Sequence, residues 1–315
     1  MRTWVPLGLL IALLAAACGS AATPATADGG TTAGAPGAPG APPTVLSVVA
    51  AENFWGSLVS QLAGRAGHVT SIVSDPNADP HSYESSAADA RAFATADYVV
   101  ENGAGYDAWA DRLLSGNPSP HRKVLNVATL LGRKPGDNPH FWYDPAAVPA
   151  VIARMEADLV ALAPRDAAYL AAQQHALTRA FAPERATLSE IKSQFAGTPI
   201  AATESIVVPL ATALGLDVVS PPQFMNAVSE GNDPPAPSVT TFQQQVTGRQ
   251  GRVLVYNQQT ATQVTTTIKN LAGRTGIPLV AVTETIQPPG TPFQVWFGKE
   301  LSALEGGLQK ASPAP

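Results

Sequence analysis

Cysteine is almost missing from this chain: there is one, Cys18, in 315 residues. A single thiol excludes an intrachain disulfide and any thiolate-rich metal site. Basic clusters are equally scarce. No basic run is longer than a pair such as Arg122-Lys123, and the formal net charge is -5, so the chain offers no footing for nucleic acid. No HExxH or comparable hydrolase signature is present. The apolar run from about Val5 to Leu14 is too short to span a bilayer.

What is present begins with a leader. Arg2, the apolar run and the small residues Ala15, Ala16 and Ala17 before Cys18 read as a secretory signal over residues 1–17. Cys18, followed by Gly19 and Ser20, is similar to a bacterial lipobox, in which the cysteine becomes the lipidated mature N-terminus. Ala15 stands where leucine is most usual, and the bland alternative is a stray residue inside the signal. Residues 18–43 are Gly, Ala, Pro, Thr and Ser, including GAPGAPGAP at 34–42. With almost no bulky apolar side chain to bury, such a segment is expected to act as a disordered tether.

From residue 44 the texture alternates. TVLSVVA, HVTSIVS, DYVVENG and KVLNVA read as strands of an N-terminal lobe over residues 44–165. Between them lie helical stretches, one opened by the Ser86/Asp89 capping pair. A linking helix of about thirty residues is expected over 166–196, kinked at Pro183. Strands PIAAT, LDVVS, RVLVY and IPLVAV then repeat the alternation in a C-terminal lobe, residues 197–315, with a polar loop at 221–237. The fold class is α/β: two parallel-sheet lobes joined by a long backbone helix, with strand carboxyl ends facing a crevice between them.

Two histidines are held in proline-flanked loops, at Asp79-Pro80-His81 and within NPHFWYDP at 138–145. Neutral imidazole is the commonest metal ligand, and proline restricts the backbone beside each ring. Glu204 follows PIAAT and Glu284 follows VAVT, each the first acidic group after a strand. A lone histidine is more often structural, and a glutamate there often serves a helix N-terminus. Two imidazoles and two carboxylates would neutralise a divalent ion and suit Zn²⁺, Mn²⁺ or Fe²⁺. Asp144 is a candidate acceptor for His140, with helix capping as the alternative. Trp109 and Trp142 are expected to pack, His68, His121 and His175 to be structural or solvated, and Glu230 and Asp233 to lie in a solvated loop.

The combination of NADPHSYE, ENGAGYDAW at 101–109, NPHFWYDP, ATES at 202–205 and VTETIQPPG at 282–290 resembles the metal-binding lipoproteins of bacterial zinc and manganese ABC importers. The likeness runs over nearly all of residues 44–311. It implies one metal in the cleft, held by His81 and His140 from the first lobe and Glu204 and Glu284 from the second. The third ligand position in that family is His in many zinc-type members and Glu in many manganese-type ones. The fourth is usually Asp, where this chain has Glu284. The His- and Asp-rich loop of zinc-specific members is absent, since residues 115–137 carry only His121 and Asp137.

The function so implied is a non-catalytic, extracytoplasmic receptor that captures zinc or manganese, with iron possible by ligand type, and delivers it to an ABC permease. Its expected setting is the cell membrane, as a monomer held there by the lipid on Cys18. Two rivals remain open at this level. One is a metal hydrolase using His81, His140 and Glu204 with Glu284 as base. The other is a receptor for an organic solute, lined by Trp109, Phe141 and Trp142.

Overall fold

The structure is a computed structural model that describes residues 45–76, 78 and 83–311. The signal segment, Cys18, the tether and His81 lie outside the described residues. Among the described residues, no helix is long and apolar enough to cross a membrane.

The first half runs β1 (Leu46–Glu52), α1 (Asn53–Ala63), β2 (Gly67–Val73), α2 (Ala87–Thr95), β3 (Tyr98–Glu101), α3 (Ala108–Gly116), β4 (Lys123–Asn126) and a single turn α4 (Val127–Leu130). Helix α5 (Ala147–Leu162) leads to α6 (Ala167–Ala180) and α7 (Ala182–Phe195). The second half runs β5 (Pro199–Ala202), α8 (Val208–Leu214), β6 (Asp217–Val218), α9 (Pro222–Ser229), α10 (Ala236–Thr247), β7 (Leu254–Asn257), α11 (Gln263–Arg274), β8 (Leu279–Val282) and α12 (Phe293–Ala311). Each half builds a four-stranded parallel sheet, ordered β2-β1-β3-β4 and β6-β5-β7-β8. The two orders are the same, so the repeated alternation in the sequence is a repeated topology.

Local chemistry explains most boundaries. Ser86 accepts from the backbone of Ala88 and Asp89 while Asp89 reaches back to Ser86 N–H, closing the expected capping box of α2. Gly215 ends α8 in the left-handed region at φ 72°. Two expectations need correction. Residues 221–237 are not one loop: α9 starts on Pro222, whose missing N–H costs nothing at the first helical position. The linking helix comes in two pieces broken at Phe181, because Pro183 has no N–H to donate to the Arg179 carbonyl and instead takes a place in the first turn of α7.

Strand alternation divides the core. Val48 and Ala50 of β1 face the largest apolar cluster, while Val49 and Ala51 face a smaller one with Phe93 and Trp109. The largest cluster is continuous through both halves, from Leu46 and Trp142 to Val255, Trp296 and Leu308. Helix α12 packs on α7 and also touches α1. The lobes therefore share one interior, and the strand carboxyl ends of both sheets meet at their junction.

Candidate metal centre

His140 is completely buried. Its loop, between α4 and α5, tightens into a 3-10 turn at Phe141–Tyr143. Trp142 stacks on Phe54 at 3.9 Å between ring centroids and meets the His140 ring edge-on at 5.2 Å. Asn102 donates through Nδ2 to the Pro139 carbonyl at 2.9 Å, and Tyr143 donates its hydroxyl to the Thr283 carbonyl across the junction at 2.9 Å. The loop that carries the ring is thus held on both sides of His140, and the ring itself packs against Trp142.

Asn138 sets its chemistry. Asn138 Oδ1 lies 2.7 Å from His140 Nδ1 and also accepts from His140 N–H at 3.0 Å, while its Nδ2 donates to the Ser205 carbonyl at 2.8 Å. A flipped amide would set donor against donor, so the oxygen must face the ring. Nδ1 then carries the hydrogen, and in the neutral ring Nε2 presents its lone pair. That Nε2 lies 3.3 Å from Glu284 Oε1. A lone pair facing a buried carboxylate is stable only with a shared proton or a cation between them.

Glu284 and Glu204 come from the second sheet, just past β8 and β5, and both are buried. Glu204 stands at the start of a short turn but makes no side-chain capping bond, so helix-terminus service does not account for it. Its Oε2 accepts from the Thr260 hydroxyl at 3.1 Å. Glu284 N–H donates to Gln259 Oε1 at 2.8 Å. Both carboxylates, with Glu300, act on the Tyr143 hydroxyl, whose pKa is pushed up by burial first and by these charges second.

Beneath the site lie further buried acids. Burial, then the charges of Asp107 and Glu101, hold Glu52 well above the usual carboxylate range. Asp107 is raised to about 6 by burial, although the backbone N–H groups of Gly103 and Asn102 oppose the shift. Those two bonds, 2.7 and 2.6 Å, clamp the turn after β3.

The structure brings His140 and Glu284 into contact and places Glu204 at the same junction. Among the described residues, no three His, Cys, Asp or Glu groups are gathered into a metal-binding cluster. Asp144 does not orient His140. Its Oδ1 accepts from Ala146 N–H at 2.9 Å, which is turn service, and Asn138 does the orienting. Trp109, Phe141 and Trp142 are buried in the first lobe, while His68, His121, His175, Glu230 and Asp233 are exposed. A cavity of about 620 Å³ opens beside the site, walled by Tyr106, Asn138 and Pro139 on one side and Ser205, Met225 and Ser229 on the other. The sequence reading missed Asn138, Gln259 and Thr260 as supporting groups. For Gln259 and Thr260 the signal was the polar run Asn257 to Thr260 at the end of a strand.

Comparison with known proteins gives one family match and relatives of the same fold. The family model described as ZnuA, zinc-uptake complex component A, periplasmic, matches residues 48–307. The manganese-binding lipoprotein MntA of Halalkalibacterium halodurans is 29% identical over 157 residues, 48% of this chain and 47% of that protein. The match thus spans about half the length of that curated relative. Among solved structures, the solute-binding protein FpvC of Pseudomonas aeruginosa in complex with Mn²⁺ superposes with a TM-score of 0.70 at 18% identity, covering 85% of this chain and 100% of that one. The periplasmic zinc-binding protein TroA of Treponema pallidum gives 0.71 at 14% identity, covering 84% and 99%. At those identities the likeness is one of fold.

Proposed function

Because the chain belongs to the family of zinc-uptake complex component A, whose model covers most of it, we propose that it is an extracytoplasmic receptor that binds a divalent transition metal and hands it to an ABC permease. The observation that carries this reading is the buried pair His140 Nε2 and Glu284 Oε1, 3.3 Å apart and drawn from opposite lobes, with the ring tautomer set by Asn138. A metal ion between those atoms would replace the shared proton. His81 and Glu204 complete the proposed ligand set, giving two neutral imidazoles and two carboxylates, a donor set compatible with zinc or manganese and also with iron. The cargo is substrate here and is carried unchanged.

Cys18 is proposed as a lipidated N-terminus, with residues 18–43 as a tether that keeps a monomeric body at the membrane. The lobes are taken as residues 44–165 and 197–315, with 166–196 between them. Incorporation of labelled fatty acid, lost in Cys18→Ala, tests the anchor.

The metal reading is tested by elemental analysis of protein purified without added metal, followed by calorimetric titration with Zn²⁺, Mn²⁺ and Fe²⁺ against small organic metabolites. Saturable 1:1 metal binding is expected. Binding of a metabolite in place of metal, or steady ester or peptide hydrolysis by the metal-loaded protein, would overturn it.

A further inference from the structure

Tyr143 closes the turn that carries His140 and reaches the strand end that carries Glu284. Its N–H donates to the His140 carbonyl at 3.1 Å, so imidazole and phenol belong to one 3-10 turn. Its hydroxyl donates to the Thr283 carbonyl at 2.9 Å, and Thr283 immediately precedes Glu284. One buried bond therefore runs from the turn bearing His140 in the first lobe to the strand end bearing Glu284 in the second. Helix α12 supports both ends of it. Trp296 and Glu300, one turn apart on α12, meet at the Thr283 hydroxyl, which accepts from Trp296 Nε1 at 2.9 Å and donates to Glu300 Oε1 at 3.1 Å. The Trp296 ring also meets the Tyr143 ring edge-on at 5.7 Å, and Phe297 does so at 6.1 Å. Tyr143, Thr283 and Trp296 are all buried. The bond bears on a spacing. His140 Nε2 and Glu284 Oε1 stand 3.3 Å apart, and two ligands of one tetrahedral Zn²⁺, at about 2.0–2.2 Å each from the ion, lie about 3.4 Å from one another.

We propose that Tyr143 is a positioning residue: through its bond to the Thr283 carbonyl it holds His140 and Glu284 at the separation that a shared metal ion requires, before the ion arrives. This rests on the metal-receptor reading above. A phenol suits the task, because a ring with two torsions, packed against Trp296 and Phe297, delivers its hydroxyl to one place at little entropic cost. Without the bond, the two ligands would have to be drawn together during binding, and part of the binding free energy would go into ordering them. Bound metal would then dissociate faster. Trp296 acts one step further away, since its N–H orients Thr283, so its loss should act in the same direction and by less.

Two tyrosine variants separate positioning from stability. Tyr143→Phe removes the hydroxyl and keeps the ring. Tyr98→Phe does the same to a buried phenol at the amino end of β3, the end remote from the site, whose hydroxyl donates to Asp158 Oδ2 at 3.1 Å. The probes are Zn²⁺ and Mn²⁺, with release followed by stopped-flow mixing against a chelator, and Co²⁺, whose absorption bands report ligand geometry. For Tyr143→Phe we expect release about ten-fold faster, the scale of one net hydrogen bond, and altered Co²⁺ bands. For Tyr98→Phe, release and bands should match wild type while the thermal midpoint of the metal-free chain falls. Wild-type release and bands in Tyr143→Phe would overturn the proposal, as would equal acceleration in Tyr98→Phe, the mark of a general loss of stability. Should Tyr143→Phe fail to fold, Trp296→Phe decides: it keeps an aromatic ring beside Tyr143 but removes the donor to Thr283, and unchanged release and bands would count against the proposal in the same way. A wild-type chain that binds none of the three ions refutes the receptor reading instead. Amide hydrogen exchange in metal-free Tyr143→Phe then tests the link, with faster exchange expected over both 140–144 and 283–286, and wild-type exchange over either segment refutes it.

Discussion

Asn138 controls more of the proposed metal centre than its small amide suggests, because one side chain sets the tautomer of His140 and joins its loop to Ser205 beside Glu204. Asn138→Ala should lower metal affinity roughly 10–100-fold, the usual range for loss of an orienting partner. His140→Ala should cost more, and His175→Ala, on an exposed face of α6, should cost nothing measurable. Titration calorimetry on the three variants checks the ranking, and equal losses at His140 and His175 would contradict the site. His140, Glu204 and Glu284 were singled out in the sequence because each follows a strand end or sits in a proline-flanked loop, and the structure buries all three; that they hold a metal is the proposal. Proline before histidine is not diagnostic alone: Pro120-His121 has the same form and His121 is exposed. Asn138, Gln259 and Thr260 were not read as supports because a neutral amide or hydroxyl shows its role only when its partners, distant in sequence, are known.

At the scale of elements, the turn from β3 into α3 shows how backbone and site are joined. Gly103 has φ 77°, and a Cβ there would lie 2.5 Å from Asn126 Oδ1, so glycine is required on both counts. Asp107 satisfies the Asn102 and Gly103 N–H groups, and Asn102 in turn holds the Trp55 indole N–H and the Pro139 carbonyl before His140. Asp107→Asn leaves one buried N–H facing a donor. It should cost about 1–3 kcal/mol, read as a lower denaturant midpoint, and it should also loosen the His140 loop enough to weaken metal binding. The regular elements of this region were readable from apolar runs and from the Ser86/Asp89 box. Helix α9 was not, and the interruption expected at Pro183 was read as a kink rather than a full break at Phe181, because proline marks both the start of a helix and its interruption. Only packing decides between those roles: Phe224 and Val228 of α9 bury against Phe242, which fixes that segment as a helix.

For the whole molecule, the shared interior and the buried acids together fix how stability responds to pH and to metal. One apolar cluster runs through both lobes, and Asn53 of α1 exchanges hydrogen bonds with both the N–H and the carbonyl of Ile286 across the junction. Metal binding should therefore stabilise the chain as a unit, by about 2.7 kcal/mol at a free ion concentration 100 times Kd. In the metal-free chain, burial raises Glu101 from 4.5 to about 8 and Glu300 from 4.5 to about 7. Between the ordinary and the raised values the folded chain binds more protons than the unfolded one, so these groups make stability fall as pH rises. Their contribution is complete below about 4.5 and lost as pH climbs through about 7 to 8. The metal acts in the opposite direction, because its ligands must be neutral imidazole and ionised carboxylate, and binding releases protons. Urea midpoints at several pH values between 5 and 8 should fall with pH for the metal-free chain and fall less for Glu101→Gln, which has no proton to lose. With Zn²⁺ or Mn²⁺ in excess, the gain over the metal-free chain should grow with pH. A metal increment independent of pH would mean that the bound ion displaces no proton from His140 and its partners, and the site would have to be sought elsewhere.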